Sequence, residues 1–187
     1  MIYNQNDDKM KDHNLKYPIG QFVKPLVITK AELENWTEVI GAFPEVLRNE
    51  IEPMPDYLLD TPYREGGWTA RQVIHHCADS HINAFIRFKL ALTEDNPVIK
   101  PYNEALWAEL SDSKYLPVEF SLSILRGLHH RWYVVLKKMD DEMLKRKYTH
   151  PEHGTEFTLE EAIGMYAWHC NHHLAHIKLV SNKNNTR

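Results

Sequence analysis

The residues best suited to chemistry lie in Trp168-His169-Cys170-Asn171-His172-His173-Leu174-Ala175-His176, a stretch free of Gly and Pro in which four histidines fall within eight residues. On a helix at about 100° per residue, with His169 as zero, His172 falls at roughly −60°, His173 at roughly +40° and His176 at roughly −20°, one stripe about 100° wide. His169 and His173 make one i, i+4 pair, and His172 and His176 another. Either pair can hold an ion from adjacent turns. A lone histidine on an apolar face is ordinarily a satisfied core residue. Four on one stripe each need partners for two ring nitrogens, and a shared metal ion meets that need.

A second cluster lies upstream, at His75, His76 and His81. With His76 as zero, Gln72 falls at roughly −40°, Asp79 at roughly −60°, Asn83 at roughly −20° and Arg87 at roughly +20°. This is a polar stripe on a helix otherwise filled by Val73, Ile74, Phe85, Ile86, Phe88 and Leu90. Such a stripe is either a solvated face or the wall of a wet cleft, and an opposing histidine stripe favours the cleft. One histidine from this helix and an i, i+4 pair from the later one give three nitrogen ligands. Three protein ligands leave a position open, the mark of a catalytic rather than a structural site. Cys77 and Cys170 are too few and too far apart for a cysteine-based structural site, and are expected to be small buried thiols.

Three neutral imidazoles leave a divalent ion its full charge. Such an ion lowers the pKa of bound water to about 7 and converts a coordinated thiol to thiolate. Asp79, one turn from His76, is a candidate to orient a ligand imidazole or to act as general base. Asn83 and Arg87, further along the stripe, are candidates to bind a polar or anionic substrate. The non-catalytic reading is an ion that only staples the helices. It calls for a fourth protein ligand, for which His172, His176 and Asp79 are available. No nucleophile–histidine signature and no phosphate-binding glycine loop is present.

The elements that must position these residues are helical. Thr29-Lys30-Ala31-Glu32, Thr69-Ala70-Arg71-Gln72 and Thr158-Leu159-Glu160-Glu161 each have the form of a capping box. The first opens an amphipathic run through Leu33, Trp36, Phe43, Leu47 and Ile51, where Pro44 predicts a kink or a break. The second opens a helix to about Thr93 and the third opens the four-histidine helix. Another long helix is predicted over Ser121 to Met139, with His129 and His130 as surface or packing residues. The proline-punctuated connection from 95 to 120 holds a short helix capped by Asn103, and Asp140 caps another through Lys145. Lys147 to Thr158 is a loop or small hairpin centred on His153-Gly154. Four long helices with apolar stripes make an all-α four-helix bundle the natural architecture.

At 187 residues and 43% hydrophobic content the chain suits one domain, over 17–187, behind a polar, disordered leader at 1–16. That leader has no apolar core of a signal peptide. A net charge of −4 argues against nucleic acid or an anionic membrane as partner, and two cysteines suit a reducing cytoplasm. Five tryptophans on such a bundle suggest that some surface is hidden in a symmetric dimer.

The run Gly67 to His81 resembles the first metal motif of the DinB superfamily, in which a ligand histidine lies eight residues after a tryptophan and an aspartate follows three on. His169-Cys170-Asn171-His172-His173 resembles its second motif, whose first and last histidines bind metal. The likeness to the YfiT-like proteins is closer still and runs from about Tyr17 to about Leu179. Tyr17-Pro18-Ile19-Gly20, Asp60-Thr61-Pro62-Tyr63-Arg64, Arg87-Phe88-Lys89-Leu90, Pro101-Tyr102 and His130-Arg131-Trp132 are similar in kind and order. The departures are the longer leader and Cys77, where an aliphatic residue is common. The resemblance implies His76, His169 and His173 as ligands of one divalent ion, zinc or nickel, with His75 and His172 as neighbours. It further implies a DinB/YfiT-like bundle, a cytoplasmic homodimer and a metal-dependent hydrolase of small molecules. Some relatives instead transfer a low-molecular-weight thiol of the bacillithiol type.

Overall fold

The computed structural model describes residues 13–152 and 154–184. Its long helices are α1 (Lys30–Ile51), α3 (Ala70–Thr93), α6 (Glu119–Leu136) and α8 (Leu159–Ser181). Between them lie α2 (Asp56–Leu59), α4 (Glu104–Trp107), α5 (Ser111–Tyr115) and α7 (Asp141–Leu144). Strands β1 (Lys147–His150) and β2 (Thr155–Thr158) pair as an antiparallel hairpin in which Lys147 faces Thr158 and His150 faces Thr155. Gly154 sits in the turn at φ 59°, a conformation that a side chain resists. His153 lies outside the described residues.

The three threonine boxes begin α1, α3 and α8 as their sequences imply. Thr29, Thr69 and Thr158 each accept from the N–H three residues on, and Glu32, Gln72 and Glu161 return the bond. Asn103 and Asp140 likewise cap α4 and α7. Around the bundle the long helices follow in the order α1, α8, α3, α6, with α6 closing back on α1. Their inward faces bury Ile40, Leu47, Ile74, Phe88, Leu125, Trp132, Ile163 and Ile177. Burial of this apolar surface is the main stabilising term. Gly164 lets α8 approach α1 closely: a Cβ there would stand 2.8 Å from the Trp36 ring.

Two expectations change. Of the kink or break expected at Pro44, the break is absent: α1 is helical from Lys30 to Ile51 with Pro44 buried inside it. Its buried packing outweighs the lost ladder bond, and the cost is a carbonyl at Ile40 with no N–H four residues on. The leader expected over 1–16 lies mostly outside the described residues, but residues 13–16 form a helical turn, closed where Tyr17 N–H donates to His13 O at 2.9 Å. Among the described residues no helix is long and apolar enough to cross a membrane.

Candidate metal centre

α3 and α8 are neighbours in the bundle, and their histidine stripes meet. One ligand nitrogen from each of His76, His169 and His173 falls in a group whose atoms all lie within 4.8 Å of one another. His76 Nε2 and His169 Nε2 are 3.3 Å apart. In a tetrahedral centre with metal–nitrogen bonds of about 2.05 Å, the edge between two nitrogens is about 3.3–3.4 Å. The His76–His169 edge thus matches a divalent ion of zinc size, with the His173 nitrogen within 4.8 Å of both. Trp68, eight residues before His76, packs its ring against that imidazole at 4.8 Å between centroids and limits its rotation.

The three imidazoles are neutral in this setting. Desolvation, aided by the neighbouring His172 and His176, lowers His76 to about 4. It pushes His169 and His173 well below the ordinary histidine range. Neutral imidazole is the form that binds a cation, so burial prepares all three.

The other histidines have separate duties. His75 turns away: its Nε2–H donates to Leu116 O at 3.0 Å and its Nδ1 lies 2.7 Å from Ser121 Oγ. His176 stacks on Tyr63 at 4.0 Å. A second group, His172, His173 and His176, also has close nitrogens. There, however, His176 Nε2 is taken up by Lys16 O at 3.1 Å, and its Nδ1 lies 3.3 Å from His173 Nδ1. His172 is stacked on Trp168 at 4.4 Å, and its buried Nδ1 has no hydrogen-bond partner among the described residues. His130 is exposed, but His129 is not the surface or simple packing residue expected from sequence. It is 0% exposed, with Nε2 2.8 Å from His81 Nδ1 and Nδ1 2.6 Å from Ile40 O.

His169 opens on a cleft of about 500 Å³ whose wall includes Ser80, Arg87, Tyr102, Glu104 and Trp168. Ser80 Oγ lies 3.4 Å from His169 Nε2, and Arg87 Nη1 donates to Tyr166 Oη at 3.2 Å. Of the residues picked from the polar stripe, Arg87 lines this cleft. Asn83 turns its side chain onto the Asp79 carbonyl at 2.9 Å. Asp79 makes no hydrogen bond to a ligand imidazole among the described residues. Desolvation, with a lesser contribution from Asp112, raises its carboxyl to about 6. Ser80 and Glu104 were missed from sequence, and Tyr102 was noted only within the Pro101-Tyr102 likeness, with no place at the site. Ser80 follows a singled-out aspartate by one position, and the other two lie on the connection after α3, whose path over the cleft has no local signal. Cys77 and Cys170 are buried free thiols, with desolvation pushing both up and away from reactivity.

A family model described as the DinB superfamily matches residues 41–177. The Bacillus subtilis (strain 168) protein named "Putative metal-dependent hydrolase YfiT" is 47% identical over 174 residues, spanning 93% of this chain and 98% of that one. A Bacillus cereus (strain 03BB102) protein named "Putative metal-dependent hydrolase" is 53% identical over 165 residues, 88% of this chain and 94% of its own. The solved structure of YfiT from Bacillus subtilis, described as having an unusual four-helix bundle topology, matches with a TM-score of 0.89 over 92% of this chain and 98% of that chain. With its fold, its histidine groups and these matches in agreement, the chain belongs to the DinB superfamily.

Proposed function

We propose that the chain is a metal-dependent hydrolase of a small molecule, with His76, His169 and His173 holding one divalent ion, zinc or nickel. The observation that carries this reading is the convergence of three imidazoles from two helices, one of which, His169, lines a cleft shared with Ser80 and Arg87. When bound there, a divalent ion supplies Lewis acidity, polarising a carbonyl or phosphoryl oxygen and acidifying water.

The chain's own residues supply binding and proton handling. Arg87 is the one Arg or Lys in the cleft wall among the described residues. Its bond to Tyr166 fixes one edge of the guanidinium and leaves other N–H groups for a carboxylate or phosphate of the substrate. Ser80 offers a hydroxyl beside His169, and Trp168 a flat apolar wall. Two carboxyls are candidates for proton handling: Asp79, one turn from His76 on α3 and raised by desolvation to about 6, and Glu104 on the cleft wall, which desolvation also raises.

Zinc- or nickel-loaded protein assayed against ester, amide and thiol–electrophile panels tests the reading. Hydrolysis lost in His169→Ala, with Arg87→Ala raising KM chiefly for anionic substrates, is the expected result. Turnover confined to thiol–electrophile pairs would replace hydrolysis by thiol transfer. No turnover with the ion bound would leave a metal staple.

A further inference from the structure

Two lines of hydrogen bonds run outward from the candidate ligands, and each ends on a main-chain carbonyl. His169 Nδ1 lies 3.0 Å from His81 Nε2, His81 Nδ1 lies 2.8 Å from His129 Nε2, and His129 Nδ1 lies 2.6 Å from Ile40 O. On the other side His173 Nδ1 lies 3.3 Å from His176 Nδ1, and His176 Nε2 lies 3.1 Å from Lys16 O.

A carbonyl oxygen only accepts, so the ring that ends each line must donate to it. This fixes the rest by proton counting. In the first line His169, His81 and His129, each neutral, carry one ring proton apiece. Three contacts, to the carbonyl and between successive rings, take one proton each. None is left for His169 Nε2, which is therefore a bare lone pair. In the second line His173 and His176 carry two protons for two contacts, and His173 Nε2 is bare by the same count. His81 and His129 are both 0% exposed, so no water competes for these nitrogens and the rings stay uncharged. The Ile40 carbonyl is open to His129 because Pro44, four residues on, has no N–H to offer it.

We propose that His81, His129 and His176 are positioning residues that fix the tautomers of His169 and His173, so that both turn a bare Nε2 to the metal point. The proposal rests on the metal-centre reading above. Histidine in water favours the Nε2–H tautomer, the one that blocks this nitrogen. The two carbonyls hold the ligands in the opposite form before any ion arrives.

The test uses the full chain, metal-free and labelled with 15N in histidine, at neutral pH. Long-range proton–nitrogen correlation spectra should show His169, His173, His81 and His129 as Nδ1–H tautomers and His176 as Nε2–H. His129→Phe should cost His169 its pure Nδ1–H signature and weaken Zn²⁺ binding about 10–100-fold, the size typical of lost outer partners. His81→Leu should do the same. His81→Gln, which keeps an acceptor oxygen opposite His169 Nδ1, should retain both the tautomer and close to wild-type affinity. This separates positioning from packing, even where the His129 variant fails to fold. A wild-type His169 protonated on Nε2 would overturn the proposal, as would an unchanged tautomer and Zn²⁺ affinity in His81→Leu. Because the tautomers are read without metal, wild-type protein that shows them yet leaves the three ligand resonances unmoved by Zn²⁺ would remove the metal centre while the tautomer assignment stood.

Discussion

Pro44 and His129 meet at one oxygen: the proline denies the Ile40 carbonyl its helical N–H, and the His129 Nδ1–H, 2.6 Å away, takes that place. The two residues lie on different helices, and neither is a candidate ligand. Replacing His129 by Leu removes the donor to Ile40 O and the acceptor for His81 Nδ1 together. Leaving both unpaired in a dry core should destabilise the metal-free protein by roughly 2–4 kcal/mol. Urea unfolding checks this, with exposed His130→Leu as the control, expected within about 0.5 kcal/mol of wild type.

Alanine at His76, His169 or His173 should each abolish tight metal binding, because two imidazoles hold a divalent ion far less well than three. His75→Ala should leave metal affinity unchanged, since that ring is engaged by Ser121 and Leu116. Competition titration with a chromogenic chelator measures both. Equal losses for His75 and His76 would refute the division of labour on α3.

Stability should fall with acid in a defined window. Burial holds His76, His129, His172 and His176 to about 4, against an ordinary value of 6.5. The folded pKa lies below the unfolded one, so the unfolded chain binds more protons between these values. The stabilisation is complete above pH 6.5 and drains as pH falls toward 4. Each group adds a slope of about 1.4 kcal/mol per pH unit inside the window. Melting of metal-free protein should be level from pH 7 to 8 and fall steeply below 6.5. A flat profile down to pH 4 would contradict the neutral cluster.

Two glycines in helices separate packing from propensity. Gly164→Ala would set a Cβ 2.8 Å from the Trp36 ring, where α8 crosses α1, and should destabilise by about 1–3 kcal/mol. Gly127→Ala on α6 meets nothing within 4 Å and should stabilise by about 0.5–1 kcal/mol. Thermal unfolding should move in opposite directions for the pair.

The candidate ligands and the helix starts were legible in the sequence because both are local patterns. The i, i+4 spacing of His169 and His173 and the three threonine boxes each need only one turn of helix to state. The chain behind His169 was not legible. His81 lies about 140° round the helix from His76, off the polar stripe, so angular bookkeeping on α3 alone sets it aside. Its partner His129 is 48 residues away in sequence, and the carbonyl that anchors both is a further 89 from His129. Pro44 gave a signal, but it pointed to a kink or a break in α1 rather than to the acceptor that a proline frees. The substrate candidates divide in the same way. Arg87 keeps the period of the stripe and lines the cleft, whereas Tyr102 and Glu104 reach it through a connection with no period.

The turn at 13–16 brings a separate piece of chain into this arrangement. Lys16 gives its carbonyl to His176, and His176 faces His173. If that contact raises the affinity of the centre for an ion by some factor, the ion must tighten the docking of the turn by the same factor, because linkage between two binding events is reciprocal. The stretch ahead of α1 then serves as a gauge of occupancy. Its resistance to a protease or to amide exchange would rise and fall with metal, with no change required in the four helices themselves.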